Sequence, residues 1–225
     1  MNAAAVVYVV DDDRALSEAL VLALKSANIA AKAYLDAQEF LDAYRGDMPG
    51  CLVTDVRMPK MSGLELQQHL LDRNLRIPTI FITGHGEVAM SVSAFKRGAV
   101  DFLEKPFTTM AILQSVRDAL RRDARMRRVE TERSVVDARC ARLSAREARV
   151  MSMVISDWSN KEIARVLDIS PRTVDHHRAH MMAKMGARSL ADLILMGVVS
   201  GREEMNVHAL RRRSAGAPQE NDAGP

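Results

Sequence analysis

The sequence predicts an α/β protein: a doubly wound domain on a five-stranded parallel sheet, followed by a small all-helical domain. Three observations predict it. Short apolar runs alternate with amphipathic helical stretches through the first half of the 225-residue chain, the pattern of strands covered by helices on both faces. The second half carries helical periodicity alone, with repeated helix-start signals. Acidic, hydroxyl and basic residues stand at the ends of the apolar runs, where open α/β sheets place their sites.

The elements follow in order. Val6-Val7-Tyr8-Val9-Val10 is the first strand. A helix over 14–27 has Leu16, Leu20 and Leu24 on one face, and Asp13 caps it. A strand over 30–34 comes next, then a helix that Asp36 caps and that reaches Tyr44. A strand over 50–54 leads through Met58-Pro59-Lys60-Met61-Ser62-Gly63 into a helix over 64–72. Then come a strand over 79–82, a helix over 88–97, a strand over 101–103 and a helix from about residue 109. This domain is expected to span 1–124.

Residues 121–142 are rich in Arg, Glu and Asp, and Val129, Val135 and Val136 are their only strong apolar positions. These do not sustain a heptad, so 125–142 is expected to be a charged helical linker. From 143 to 200 four helix starts are visible. Ser144, Ser159 and Ser189 each precede an acid by three residues (Glu147, Glu162, Asp192), the form of a capping box. Ser170 caps a helix with Pro171 at its first position. Residues 201–225 turn polar, with Arg211-Arg212-Arg213 and a Pro/Gly/Ala-rich end, and are expected to be disordered.

Composition narrows the function classes. The net charge is only +3, so charge alone does not argue for nucleic acid, and local patches matter more. Two cysteines, Cys51 and Cys140, give neither a disulfide framework nor a metal-ligand spacing. The N-terminus lacks the basic start of a signal peptide, and no apolar run nears the roughly 18 residues of a membrane span. A cytoplasmic protein with no membrane partner is the expectation.

Five residues carry the chemistry: Asp11, Asp12, Asp55, Thr83 and Lys105. Each stands at or just after a strand end, so three carboxylates, a hydroxyl and an ammonium are expected at one sheet edge. Carboxylates suit Mg²⁺, a hard cation that keeps several waters. A carboxylate beside it can attack phosphorus and form an acyl phosphate, while Lys105 and Thr83 stabilise the phosphoryl oxygens.

This set, with the Lys105-Pro106 dipeptide, resembles the receiver domain of two-component response regulators. The resemblance implies a flavodoxin-like fold, Mg²⁺ held by Asp11, Asp12, Asp55 and the Arg57 carbonyl, and phosphorylation of Asp55 by a sensor histidine kinase. It also implies that Thr83 and Phe102 form a switch pair, that Lys105-Pro106 is cis, and that Arg57 and His85 tune phosphate lifetime. Phe102 is otherwise a plain core aromatic.

A second resemblance covers 143–199. Ser159-Asn160-Lys161-Glu162-Ile163-Ala164, then Leu167-Asp168-Ile169-Ser170-Pro171-Arg172-Thr173-Val174, then His177-Arg178 resemble the LuxR-type helix-turn-helix domain. A helix over 171–185 is then the recognition helix, with Val174, Met181 and Met185 on its core face. Asp175, His176 and Ala179 would reach base edges, and Lys161, Arg172, Thr173, His177, Arg178 and Lys184 would meet phosphates. His176 replaces a residue that is commonly small and apolar in this family, and Asp157-Trp158 replaces a Gly-containing turn. Trp158 reads as a packing residue rather than a DNA stacker. The last helix, with Leu190, Leu193, Ile194 and Val198, is by resemblance a dimer contact.

Together the two halves are similar to response regulators of the FixJ/NarL type. The expected partners are a histidine kinase, double-stranded promoter DNA, a second copy of the chain on phosphorylation, and RNA polymerase. The receiver's dimer surface is expected near 92–104. The only expected catalysis is self-directed phosphoryl transfer and autodephosphorylation. Two rivals remain: a Mg²⁺-dependent phosphohydrolase using Asp11, Asp12 and Asp55, and a DNA-binding protein with a vestigial receiver.

Overall fold

A computed structural model describes residues 4–84 and 98–200. The expected helix over 88–97, His85, residues 92–97 of the expected dimer surface and the tail over 201–225 lie outside the described residues.

The first unit, Met1–Arg127, holds β1 (Val6–Val10), α1 (Arg14–Ser26), β2 (Ala30–Tyr34), α2 (Ala37–Ala43), β3 (Gly50–Asp55), α3 (Gly63–Asp72), β4 (Thr79–Thr83), β5 (Ala99–Glu104) and the start of α4 (Thr109–Ala141). All strand pairs are parallel and the order is β2-β1-β3-β4-β5. The apolar runs are continuous because both faces of the sheet are covered. Val7, Val9, Cys51, Val53, Ile80 and Ile82 pack against Leu20 and Leu24 of α1 and Ile112, Val116 and Ala119 of α4. Tyr8, Val10 and Leu52 face the other way, onto Phe40, Leu41 and Tyr44 by α2 and Leu66 and Leu70 of α3. Burial pushes the Cys51 thiol up to about 12, in keeping with a small core residue.

Local signals set most boundaries. Asp13 accepts from the N–H groups of Ala15 and Leu16, and Asp36 from that of Gln38, as expected. Helix α3 begins one residue earlier than expected because Ser62 and Glu65 form a reciprocal capping box. Strand β5 begins two residues earlier than expected. Ala99 pairs with Thr79 across a register shift, which lengthens the ladder beyond its most apolar stretch.

The second unit, Arg128–Pro225, holds the end of α4, then α5 (Ala145–Ile155), α6 (Asn160–Leu167), α7 (Pro171–Met185) and α8 (Leu190–Val199). Ser144 and Ser159 head full capping boxes, and Ser170 caps α7. Ser189 accepts from the Asp192 N–H, but Asp192 reaches past it to the Arg188 N–H at 3.0 Å. The core gathers Val150, Met151, Val154, Ile163, Leu167, Val174, Met181, Met185 and Leu193, with Val136 and Cys140 from α4. Trp158 packs against this cluster. Asp157 takes φ 62°, so the turn where Asp157-Trp158 replaces a Gly-containing pair has the left-handed conformation, which Asp tolerates better than most non-Gly residues.

The charged stretch over 125–142 is therefore not one solvated segment. Asp123 and Arg127 are tied into the first unit, and Val136 and Cys140 are core residues of the second. What remains largely exposed is 128–135. Its periodicity looks uniform in sequence because long charged side chains flank both anchors.

Candidate functional sites

The first site lies where the strand order reverses, at the carboxyl ends of β1 and β3. Asp11 follows β1 and is fixed through its backbone. Its N–H donates to the Tyr34 carbonyl at 3.2 Å, and its carbonyl accepts from Ser17 Oγ at 3.2 Å. Asp55 ends β3, and its Oδ1 accepts from the Arg57 N–H at 2.8 Å. Gly63 packs against the same strand end, where a Cβ would lie 2.2 Å from the Asp55 carbonyl oxygen. Only glycine permits that approach.

Lys105 joins the two acids. Its Nζ lies 2.5 Å from Asp55 Oδ2 and 3.3 Å from Asp11 Oδ2. Its backbone N–H donates to the Thr83 carbonyl at 2.8 Å, and Lys105-Pro106 is cis. Burial works against the Lys105 ammonium, but its bonds and attraction to Asp55 and Asp11 outweigh that and raise it above its ordinary range. Burial raises the Asp11 carboxyl, and the Asp13 N–H and Lys105 offset this only in part. The pocket thus holds two inward carboxylates against one ammonium, an excess of negative charge in a largely buried place.

Thr83 is buried at the end of β4, with its Oγ1 donating to the Gly84 carbonyl at 3.1 Å. Phe102 stacks on Phe81 with ring centroids 5.0 Å apart, beside Val56 and Leu64. Asp12 is exposed, and among the described residues no three acidic, histidine or cysteine side chains gather closely enough to hold a metal alone. A Mg²⁺ ion nevertheless fits the donor set. It needs only one or two carboxylates when water completes its shell, and Asp11 and Asp55 already converge on one cation, the Lys105 ammonium.

The second site is α7. Val174, Met181 and Met185 are buried, and Arg172, Asp175, His176, Ala179, His180 and Ala183 form an exposed stripe. Sequence reasoning missed His180, which the same helical spacing could have found. Lys161 is exposed on α6. Asn160 binds both neighbours on α7: its amide donates to Asp175 and its Oδ1 accepts from Arg178 Nη1 at 2.7 Å. This holds Asp175 and Arg178 against the start of α6. Thr173 Oγ1 lies 2.8 Å from Ser170 Oγ inside the α7 cap. His177 is half-buried.

Lys184, expected at a phosphate, is ion-paired inside the second unit. Its Nζ pairs with Glu147 Oε2 at 2.6 Å, and Glu147 is buried. The partner lies 37 residues away in sequence, so spacing could not reveal the pair. The Lys184 bond, with the Ser144 N–H next, pushes the Glu147 carboxyl down to about 2 from its ordinary 4.5. A depressed carboxyl contributes stability above its unfolded value and loses it as pH falls towards its folded one. The second unit is therefore expected to lose stability between about pH 4.5 and pH 2. Lys184→Met should move that loss to higher pH and cost about 2 kcal/mol at neutral pH. Circular dichroism against pH checks this, and overlapping acid curves would contradict it.

Comparison with known proteins finds relatives for both halves of the chain. A model of the response regulator receiver domain matches residues 7–117, and one of the bacterial regulatory proteins of the luxR family matches 141–197. The transcriptional regulatory protein FixJ of Azorhizobium caulinodans is 47% identical over 195 residues, covering 87% of this chain and 92% of that protein. The response regulator protein TodT of Pseudomonas putida is 40% identical over 191 residues, covering 85% of this chain and 84% of that protein. Among solved structures, the response regulator StyR aligns with a TM-score of 0.77 and 39% identity over 86% of this chain and 98% of that one. Full-length FixJ from B. japonicum aligns with a TM-score of 0.55 and 42% identity, over 89% of this chain and 98% of that one.

Proposed function

This chain belongs to the FixJ-type two-component response regulators, transcriptional regulators rather than enzymes that join a receiver to a LuxR-family DNA-binding domain, and from that membership we propose that phosphorylation of Asp55 switches its binding to promoter DNA. The observation that carries the reading is Lys105 Nζ bridging Asp11 and Asp55. A shared ammonium between two carboxylates supports a site for a cation and a phosphoryl group together.

In this reading Asp55 Oδ2 attacks the phosphorus of a phosphohistidine on the sensor kinase. The new P–O bond forms as the P–N bond breaks, and the freed imidazole takes a proton. Mg²⁺, held by Asp11, Asp55, the Arg57 carbonyl and, through water or directly, Asp12, would neutralise charge on the phosphoryl oxygens. Lys105 exchanges its bond to Asp55 for one to a phosphoryl oxygen. Thr83 Oγ1 turns from the Gly84 carbonyl to a second oxygen, and Phe102 repacks against the space it leaves.

The proposed output is dimerisation, which places two α7 helices on paired half-sites. Dimerisation makes the second half-site contact intramolecular. On α8, Leu190, Leu195 and Val198 are exposed while Leu193 is buried, an arrangement that supports a contact between two DNA-binding domains. The domain limits proposed are 1–124 for the receiver and 143–200 for the DNA-binding domain. The setting proposed is the cytoplasm; among the described residues no helix is long and apolar enough to cross a membrane.

Acetyl phosphate with Mg²⁺ is expected to label the wild type on Asp55 and to leave Asp55→Asn unlabelled, since the amide lacks the nucleophilic charge. EDTA should abolish labelling of the wild type. Equal labelling of the two proteins would refute the site. Turnover of many equivalents of a simple phosphoester would favour a hydrolase instead.

A further inference from the structure

Two imidazoles stand one turn apart on the exposed stripe of α7. The His176 and His180 rings lie 4.1 Å apart between centroids and are tilted by 49°. Among the described residues neither ring is engaged in a hydrogen bond or an ion pair. Histidines at positions i and i+4 on one helix face present their ring nitrogens to a common point, a spacing that holds a transition metal. The charges nearby permit it. Lys184, one turn past His180, is neutralised by Glu147, and the Asp175 carboxylate beside His176 is held by Asn160. Arg172 lies on the same stripe, one turn before His176 and two before His180.

We propose that His176 and His180 form a two-imidazole clip for a transition-metal dication. Imidazole nitrogen suits Cu²⁺, Ni²⁺ and Zn²⁺, with Cu²⁺ held most tightly. Among the described residues no third acidic, histidine or cysteine ligand joins the pair, so water fills the remaining positions. That separates the clip from a closed structural zinc site. The consequence for DNA rests on the reading of α7 given above. The lone pair that His176 would offer to a base edge is the one the metal takes, so a metal on the clip removes that contact.

The test is calorimetric titration of the full chain with Ni²⁺, without DNA, for the wild type, His180→Gln and His177→Gln. His180→Gln is expected to lower affinity for the tightest Ni²⁺ site about a hundredfold, as a chelate becomes a single contact. His177→Gln, which replaces a histidine off the clip, should keep it. Both variants should retain the wild-type circular dichroism, since neither side chain is in the core. Equal affinity in the wild type and His180→Gln, or equal loss in both variants, would overturn the clip. Because no DNA is present, the titration decides the clip even if the DNA reading of α7 fails. A duplex selected by the protein from a random pool in metal-free buffer then tests the consequence. Ni²⁺ should weaken wild-type binding and spare His180→Gln, and equal binding with and without Ni²⁺ in the wild type would refute the competition.

Discussion

Asp123→Ala is expected to cost the first unit about 3 kcal/mol, the cost of breaking a buried pair by removing one partner. Asp123 is buried on α4 and accepts from the Gly50 N–H at 2.9 Å and from Arg127 Nε at 3.0 Å. Arg127 in turn donates to the carbonyls of Gly46, Asp47 and Met48, the last at 2.5 Å. Removing the carboxylate leaves a buried N–H at the start of β3 without a partner and frees the guanidinium that fastens the loop before it. Asp118→Ala is the control, because Asp118 and Arg121 form an exposed pair on the same helix. Such exposed pairs, screened by solvent, contribute little to stability. Urea unfolding of both variants checks the difference, and equal midpoints would contradict it.

Asp11→Asn should separate the metal's contribution from the fold's. Burial raises the Asp11 carboxyl in the folded protein. A raised acid favours the fold below its ordinary value of 3.8 and loses that contribution as pH rises through the folded value. At neutral pH the buried charge is therefore a cost without a metal. Asn keeps the size and can still accept from the Asp13 N–H, which bonds to Oδ1 at 2.8 Å. In EDTA the variant is expected to melt no lower than the wild type. With Mg²⁺ at about a hundred times its Kd the wild type should gain about 2.7 kcal/mol, and Asp11→Asn should gain little. A variant that Mg²⁺ stabilises as much as the wild type would remove Asp11 from the metal site.

The strand ends are legible in the sequence because a buried parallel strand is a continuous apolar run, and the first polar residue after it marks the edge. Asp11 and Thr83 are visible in this way, Asp55 and Lys105 stand one residue further on, after Thr54 and Glu104, and the sheet brings Asp11, Asp55 and Lys105 within bonding distance. The helix starts of the second unit are legible because a serine three residues before an acid satisfies orphan N–H groups locally. The same signal at Ser62 and Glu65 starts α3 one residue before the apolar pattern alone suggests. Long-range charge pairs are not legible. Nothing local distinguishes buried Asp123 from exposed Asp118, or marks Lys184 as an ion-paired lysine, since the Gly50 and Glu147 partners lie far away in sequence. His180 escapes for a different reason: the family motif ends at Arg178, two residues before it.

Phosphate on Asp55 is expected to control DNA binding through self-association. The direct measurement is the solution mass of the full chain by light scattering, together with its affinity for a paired-site duplex, with and without acetyl phosphate and Mg²⁺. In the wild type both should rise together, and in Asp55→Asn neither should rise. A wild-type protein with the same mass and the same DNA affinity in both states, while Asp55 is demonstrably phosphorylated, would contradict this control.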